Sequence, residues 1–409
     1  MRKGIVRTAA VVMVIVLLSL TAMAGCGNGG DKSKPEVIIG YIGDLTGPAA
    51  IAVKDTFNGM RDYFRMVEEK GLIPEVSVKI LTYDSRSDRG RIPPGYKWLV
   101  GQGADMISTI SGDEAMILAS SLEADQLPNF SFGSSIKMLG EDWMFSVLPP
   151  TFCSGEVVGH RIEETWDGAQ PAKVGLVGLA PLSISREPLE ALQDWCAAAP
   201  NLDFVTAQMA PMGTTTWAAE IDHLKVCDYI LDTTIGSSMA TFERDLIASG
   251  WQGTHFGLMN SFMAYWDLAR ASIPEADLDG FLADTPYVDW NEDVPFVAEV
   301  KEYIEAHMDP QEAAEVMRGV GYIGGWAGGK MVAEAIKLAV AQVGAENLDG
   351  AVLRDGFLAV DLTVEGFGNA WKVAGDVNSF LQTLRIMKWD AAAERWVQAF
   401  DFYRPPILG

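Results

Sequence analysis

The chain has 409 residues, more than one ordinary hydrophobic core holds, so we expect two domains. Hydrophobic residues make up 49% of the sequence and charged residues 21%, which is the balance of a globular protein. The formal net charge of −24 argues against nucleic-acid binding, because no excess of cations is available to neutralise phosphates.

Residues 1–25 have the pattern of a signal peptide. Arg2, Lys3 and Arg7 precede an apolar stretch at residues 9–20, which is short for a transmembrane helix, and no later segment is long enough. Cleavage follows Ala24, or it precedes Cys26, where Met-Ala-Gly-Cys resembles a bacterial lipobox whose cysteine is acylated. We favour the lipoprotein, because residues 26–35 are glycine-rich and polar, as expected of a flexible tether. The protein is then exported and is either lipid-anchored to the cell membrane or periplasmic.

Strands and helices alternate through the first third of the chain. We predict strands at residues 37–42, 76–83, 106–110 and 129–132. We predict helices at residues 50–69 and 113–125, and a third that ends at residue 101. This alternation with short loops predicts a mostly parallel sheet with helices on both faces.

Residues 104–135 carry the most specific local pattern. Ser111 and Glu114 fit the Ser-x-x-Glu capping box that opens a helix. The expected buried face of that helix consists of Met116, Ala119 and Leu122. The loops at residues 111–112 and 133–135 follow consecutive strands, so both should open at the carboxyl edge of the sheet, where open α/β sheets bind small molecules. Their hydroxyls, small residues and backbone N–H groups suit a small polar ligand head.

The same alternation restarts after residue 150 and predicts a second α/β layer. Its strands are expected at residues 173–179, 204–207, 228–231 and 254–258. Its helices are expected at residues 187–199, 216–225 and 239–249. Residues 280–296, rich in Pro, Asp and Trp, read as a connecting stretch. Further helices are predicted at residues 296–308 and 318–343, a short element at 351–361, and a strand pair at 384–389 and 396–400.

No catalytic or metal-binding constellation stands out. Residues 324–331 resemble a phosphate-binding loop, Gly-x4-Gly-Lys-Ser/Thr. However, Met331 stands in place of the hydroxyl that would hold magnesium, and no buried strand precedes the stretch. We therefore predict that its small residues pack a helix closely against its neighbour. His160 and Glu163 lie one helical turn apart, but no third metal ligand presents itself. No serine nucleophile has a base placed to activate it. We therefore expect neither an enzyme nor a cofactor or metal site.

Other polar and aromatic residues leave alternatives open. If Cys26 is acylated, Cys153, Cys196 and Cys227 remain, an odd number. Cys196 and Cys227 either form a disulfide or, as we favour, are buried free thiols. Most of the 12 tryptophans should lie in the core, with Trp217 and Trp266 as candidates to reach a cleft. Asp44 either faces the cleft or caps its own turn.

Several motifs in this order resemble the leucine/isoleucine/valine-binding protein family, type I periplasmic binding proteins that deliver ligands to ABC importers. The first motif is Ile-Gly-Tyr-Ile-Gly-Asp-Leu-Thr-Gly-Pro at residues 39–48, followed by Phe-Asn-Gly at 57–59. The others are residues 83–88, 103–135, 242–250 and 280–282. The likeness spans roughly residues 36–390 and is strongest in the first 135.

The resemblance implies an α/β fold of two lobes, each a mostly parallel sheet with helices on both faces, with a ligand cleft between them. Residues 36–149 and 284–366 would form the N-terminal lobe, and residues 150–283 and 367–409 the C-terminal lobe. Three crossovers would join the lobes, and ligand contacts from both sides would favour the closed form. The implied partners are a small-molecule ligand and the permease subunits of the importer.

The family's site residues carry over position by position. Members hold an amino acid's carboxylate with a serine at the start of the central helix and with loop groups after the next strand. The serine position falls on Gly112, beside Ser111, which is either only a helix cap, as we favour, or a ligand group. The remaining positions fall on Gly133, Ser134 and Ser135 in the second loop, and on Ala52, Ser183 or Ile184, Thr234 with Ile235, and Met259.

These positions lack the aromatic residues of the family and the acid that pairs with the ligand's ammonium. The resemblance therefore implies a roomier, more apolar pocket. A buried ammonium without a counter-charge is unfavourable, so we expect a carboxylate or neutral amide with an apolar or aromatic body rather than a zwitterionic amino acid. Asp232 is the alternative counter-charge. The predicted function is a solute-binding lipoprotein of an ABC importer, and the alternative is an extracellular sensor that signals to a separate membrane receptor.

Overall fold

The computed structural model describes residues 34–180 and 182–409, apart from the side chains of residues 259–261. The predicted signal peptide, Cys26 and most of the tether lie outside the described residues. Among the described helices, none combines the length and the apolar character of a membrane span.

The first sheet of the described chain has five parallel strands in the order β2-β1-β3-β4-β5. They are β1 (Glu36–Gly43), β2 (Ser77–Asp84), β3 (Met106–Thr109), β4 (Asn129–Ser131) and β5 (Met144–Ser146). β1, β3 and β4 are almost wholly buried, because helices cover both faces of a parallel sheet. Four of the five strands were predicted from the sequence, and the three-residue β5 was not.

The second sheet has seven strands in the order β12-β11-β10-β9-β8-β6-β7. They are β6 (Ala172–Ala180), β7 (Leu202–Pro211), β8 (Tyr229–Asp232), β9 (Thr254–Gly257), β10 (Leu282–Thr285), β11 (Leu384–Asp390) and β12 (Arg395–Tyr403). β10 pairs parallel with β9 and antiparallel with β11, and β11 pairs antiparallel with β12. The connecting stretch predicted at residues 280–296 thus contains a buried strand, which is too short and too polar for its pattern to reveal. Two mostly parallel sheets with surrounding helices confirm the predicted fold class.

Helices cover the faces of both sheets. They are α1 (Ala50–Glu69), α2 (Ile92–Gly101), α3 (Gly112–Asp125), α4 (Phe152–Thr165), α5 (Ser183–Ala198), α6 (Ala218–Leu224), α7 (Ser237–Ala248), α8 (Met259–Ala264), α9 (Trp266–Arg270), α10 (Pro295–His307), α11 (Pro310–Val316), α12 (Gly321–Val343) and α13 (Gly350–Ala359). α3 begins as predicted, with Ser111 Oγ accepting the Glu114 N–H at 3.3 Å. Its fully buried apolar residues are Ala115, Leu118 and Leu122, and the predicted Met116 and Ala119 are half-buried beside them, packed against the same core cluster.

α1 and α12 pack unusually closely through glycine. A Cβ atom on Gly59 would lie 2.2 Å from the carbonyl oxygen of Tyr322, and one on Gly325 would lie 2.0 Å from that of Thr56. The glycine-rich stretch at residues 324–331 lies wholly inside α12. These contacts support the prediction that it packs helices rather than binding phosphate.

The segment that returns from the first layer to the second runs along the edge of β5. The Asn378 side-chain NH₂ donates to the carbonyls of Met138 at 2.7 Å and Met144 at 2.6 Å. The Phe380 N–H donates to the Ser146 carbonyl at 2.9 Å. Residues 378–380 therefore contact the first sheet, although the sequence assigned residues 367–409 to the second lobe.

The structure decides several points that the sequence left open. Cys153, Cys196 and Cys227 are buried free thiols, as we favoured. Trp217 and Trp266 are core residues at 0% and 2% exposure, not cleft residues. The two residues considered as metal ligands have other partners, since the ring of His160 stacks on Tyr403 and Glu163 accepts the Trp195 indole N–H. The Asp44 carboxylate accepts the Gly47 and Ala49 N–H groups and so caps its own turn.

The second layer contains a buried acid pair beneath the loop that follows β8. Asp232 and Glu243 are both fully buried, and burial raises the pKa of Asp232 to about 6. Burial, and next the neighbouring Asp232 carboxyl, raise the pKa of Glu243. His255 Nε2 lies 3.5 Å from Glu243 Oε2, but burial lowers the pKa of His255 to about 3, so its ring is neutral and supplies no counter-charge.

We expect the free energy of unfolding to fall as pH rises above about 6.5, where the opposing contribution of His255 has ended. A raised folded-state pKa contributes stability that is complete below the unfolded pKa and is lost as pH rises through the folded pKa, at up to about 1.4 kcal/mol per pH unit for Glu243. The opposite contribution of His255 is confined to pH below about 6.5. Thermal unfolding should show a decline over this range that Glu243→Gln reduces and the exposed Glu302→Gln leaves unchanged. An equal decline in Glu243→Gln would contradict this assignment.

Candidate functional site

A cavity of about 140 Å³ lies between the carboxyl edge of the first sheet and elements of the second layer. Its lining residues are Ala52, Val53, Thr56, Ile110, Ser111, Gly112, Phe132, Gly133, Ser134, Leu148, Thr151, Ser183, Ile184, Ala264, Tyr265, Tyr287 and Gly324. An apolar cavity of about 150 Å³ accepts benzene, so this space is matched to a ring or a branched aliphatic body.

The two loops predicted to meet at the edge of the first sheet do meet. A Cβ atom on Gly112 would lie 2.6 Å from both the Ser134 carbonyl carbon and the Ser135 nitrogen. The Gly133 N–H donates to the Ile110 carbonyl at 3.0 Å. Position 112 therefore has no room for the serine that the family resemblance places there.

The start of α3 supplies donors at this edge. The first N–H groups of a helix have no intrahelical acceptor, and here they belong to Gly112 and Asp113. A helix N-terminus also carries partial positive charge, which favours an anionic group beside it. The cavity can therefore hold a carboxylate or carbonyl oxygen beside Gly112 without a cationic side chain.

Two tyrosines and two threonines are the larger polar side chains of the lining. Tyr265 donates its hydroxyl to the Ala49 carbonyl at 3.3 Å, and Thr56 donates to the Ala52 carbonyl at 2.9 Å. The hydroxyl of Tyr287 has no hydrogen-bond partner among the described residues, although its ring is 1% exposed. Because Tyr287 lines the cavity, its hydroxyl is placed to hydrogen-bond a bound molecule.

No described side chain in the cavity lining is charged. Glu114 lies just behind the first loop, where its Oε2 accepts the Ile110 N–H at 3.1 Å and its Oε1 accepts the Ser85 hydroxyl at 3.4 Å. Burial raises the pKa of Glu114 to about 7, so near neutral pH it is only partly ionised. The alternative counter-charge, Asp232, is absent from the lining and accepts the Thr234 N–H at 2.7 Å within its own layer.

The predicted site residues divide into two groups. Those that line the cavity are Ala52, Ser111, Gly112, Gly133, Ser134, Ser183 and Ile184. Ser135 is adjacent but turns its hydroxyl to Glu187 of α5. Thr234 and Ile235 are not lining residues, and a Cβ atom on the next residue, Gly236, would lie 3.6 Å from the Pro48 carbonyl oxygen. The side chain of Met259 lies outside the described residues.

The sequence did not indicate Phe132, Leu148, Thr151, Tyr265 or Tyr287. Tyr287 follows the short β10, inside the stretch read as a connection, and Tyr265 lies between two short helices. An aromatic residue beside the end of a strand was the available signal for Tyr287, but a polar, proline-containing stretch concealed the strand.

A profile of the periplasmic binding proteins matches residues 36–394, while no curated protein sequence matches the chain. A branched-chain amino acid ABC transporter structure from Thermus thermophilus with bound valine has a TM-score of 0.79 at 17% identity, covering 92% of this chain and 98% of that one. A fatty acid ABC transporter substrate-binding protein from Thermomonospora curvata has a TM-score of 0.78 at 16% identity, over 92% and 96%. A solute-binding protein from R. palustris in complex with benzoate has a TM-score of 0.73 at 15% identity, over 90% and 97%.

At identities of 15–17%, the solved structures support the fold alone. The family assignment rests on the profile, which covers most of the chain. The described residues have the two layered sheets and the intervening cavity that such a fold requires. The chain therefore belongs to the periplasmic binding protein family, which confirms the family that its sequence motifs indicated.

Proposed function

We propose that this protein is an extracytoplasmic solute-binding lipoprotein of an ABC importer. It captures a small organic carboxylate or amide with an apolar or aromatic body by closing two lobes, and passes it to the permease subunits. The observation that supports this proposal is the uncharged cavity between the layers, with helix N–H groups at one end and apolar side chains around the rest.

The lobes follow the two sheets. We assign residues 36–149 with 286–381 to the first lobe and residues 150–285 with 382–409 to the second. Two boundaries are moved from those expected from the sequence, because β10 pairs within the second sheet and residues 378–380 bond to the first. Three crossovers then join the lobes, as hinge closure around a ligand requires.

Because no described residue of the lining is an acid, the cavity should bind a plain carboxylate in preference to an amino acid. A carboxylate can be stabilised at the N-terminus of α3, whereas an ammonium buried without a counter-charge is strongly unfavourable. The cavity volume of about 140 Å³ favours a compact body over a long fatty chain. Solutes such as benzoate and branched short-chain carboxylates meet these conditions.

A matched pair of solutes tests this proposal. Leucine and 4-methylpentanoate share an aliphatic body and a carboxylate, and only leucine carries an ammonium. At a concentration of about 100 times the dissociation constant, 4-methylpentanoate or benzoate should raise the melting temperature by roughly 5 °C, and leucine should not. A larger shift with leucine would refute the charge argument. No shift with any of the three solutes would count against the proposed solute class.

Tyr287 provides the corresponding test on the protein. Tyr287→Phe keeps the ring and removes the unpartnered hydroxyl, so affinity for the bound carboxylate should fall roughly threefold to tenfold. Tyr83 packs under Arg91 outside the cavity, and Tyr83→Phe is the control. Calorimetric titration measures the affinity of both variants. If Tyr287→Phe binds the solute as tightly as Tyr83→Phe, the Tyr287 hydroxyl does not contact the solute.

Membrane attachment rests on the lipobox and on the tether-like residues 26–35, and it has its own test. Cys26→Ser removes the acylated thiol, so the protein should move from the membrane fraction to the soluble extracytoplasmic fraction. Because a single acyl chain anchors only marginally, firm attachment of the wild type would indicate more than one chain. If the distribution of the protein is the same for both forms, cleavage after Ala24 is favoured instead.

A further inference from the structure

α5 of the second layer begins without a capping side chain of its own. Its N-cap residue is Leu182, and its first turn contains no acidic residue. The N–H groups of a first helical turn need an outside acceptor, and a capping side chain is the usual one. Ser183 and Ile184, which open the helix, also line the cavity.

Asp113 of the first layer supplies this acceptor. Its Oδ2 accepts the Ser183 N–H at 3.2 Å, and Arg89 Nη2 donates to the same oxygen at 2.6 Å. Asp113 also lies in the first turn of α3, so its carboxylate is close to the N-termini of two helices, where negative charge is favoured. The Asp113 side chain is 27% exposed and is not a lining residue, so the contact lies at the rim.

A second carboxylate joins the layers one turn further along α5. Glu187 accepts the Ser135 hydroxyl and the Ile136 N–H, the latter at 3.3 Å, and also the Thr151 hydroxyl at 2.9 Å. Thr151 directly follows a crossover, and Ser134 bridges to Pro150 beside it. The Glu187 contact is therefore close to the hinge, where a lobe rotation moves atoms least, whereas the Asp113 contact lies at the rim.

We infer that Asp113 is a positioning residue for solute capture. It caps α5 across the cavity only when the lobes are closed, and it thereby slows solute release without touching the solute. Arg89 holds the carboxylate in the orientation that reaches Ser183. This inference rests on the proposed lobe closure and adds a residue that sets the lifetime of the closed state.

Dissociation kinetics of 4-methylpentanoate test the inference. Asp113→Ala should accelerate dissociation roughly tenfold and Asp113→Asn roughly fivefold, with the association rate unchanged, because one helix cap is lost from the closed form only. Glu123→Gln is the matched control, since Glu123 is an exposed acid of the same helix without a side-chain partner among the described residues. A structural role alone would instead lower the melting temperature of the solute-free protein.

Hydrogen exchange of the α5 N-terminus measures the cap directly. With 4-methylpentanoate at saturating concentration, the peptide covering residues 182–190 should exchange several-fold faster in Asp113→Asn than in the wild type or in Glu123→Gln. Without the solute all three proteins should exchange alike, because the cap forms only in the closed state. If the wild type does not bind 4-methylpentanoate, its own titration shows that the proposed solute class fails, and the comparison is made with the solute that does stabilise the wild type. Equal exchange in the solute-bound wild type and Asp113→Asn, or solute dissociation from the Asp113 variants at the wild-type rate, would overturn the inference.

Discussion

Replacing Gly112 with serine is expected to weaken solute binding at least roughly tenfold. The substitution introduces the residue that the family resemblance places at this position, so sequence reasoning alone would expect improved binding. In this chain the new Cβ would lie 2.6 Å from the Ser134 carbonyl carbon and the Ser135 nitrogen, which are main-chain atoms. The two loops would have to separate, and both line the cavity.

Calorimetric titration with 4-methylpentanoate and benzoate measures this effect. Gly101→Ser is the control, because Gly101 also lies in a helix and no atom lies within 4 Å of a Cβ built there. Gly112→Ala should show most of the loss, since the clash involves Cβ and not the hydroxyl. Wild-type affinity in Gly112→Ser would mean that the loop at residues 133–135 moves without penalty, contrary to the close contact described.

Replacing Gly325 with valine is expected to destabilise the protein by at least about 3 kcal/mol. A Cβ atom there would lie 2.0 Å from the Thr56 carbonyl oxygen and 2.8 Å from its carbonyl carbon, so α1 and α12 would have to move apart. Gly59 faces Tyr322 in the same way, and the two glycines form one seam. Separation of the helices would also disturb Ala52, Thr56 and Gly324, which line the cavity.

Thermal unfolding should show a decrease in melting temperature of roughly 5–10 °C for Gly325→Val. Ala341→Val places the same side chain on the exposed face of α12 and should change the melting temperature by no more than about 1 °C. Gly59→Ala should be destabilising in its own right. If Gly325→Val had the same melting temperature as Ala341→Val, the glycine-rich stretch at residues 324–331 would not have the packing role assigned to it.

Much of the local architecture follows from short-range patterns. Alternating apolar segments predicted most strands of both sheets, and Ser111 with Glu114 predicted the start of α3. These signals are readable because they depend on backbone periodicity and on contacts three or four residues apart. β5 and β10 were missed because they are only three and four residues long and neither adjoins a predicted helix, whereas the equally short β3, β4, β8 and β9 do.

The cavity could be predicted only in part. Its first-layer loops lie within one strand–helix–strand unit, so chain order alone placed Ser111, Gly112, Gly133 and Ser134 together. Its second-layer contacts were less predictable, and Thr234 and Ile235 fell outside the lining, because a shift of a residue or two in a loop changes which side chain reaches the cavity.

The sequence by itself determined the two α/β layers, the opening of α3 beside the cavity, and the family. Only the tertiary structure decided that Tyr287 and Tyr265 face the same cavity as Gly112, that Gly112 has no space for a side chain, and that Asp113 caps α5. The physical reason is distance along the chain. Helical and strand periodicity are set by neighbouring residues, whereas Gly112 meets the next loop of its own strand–helix–strand unit. The contacts of Asp113, Tyr265 and Tyr287 join segments about 70 to 175 residues apart, and they form only when the crossovers bring the two layers together.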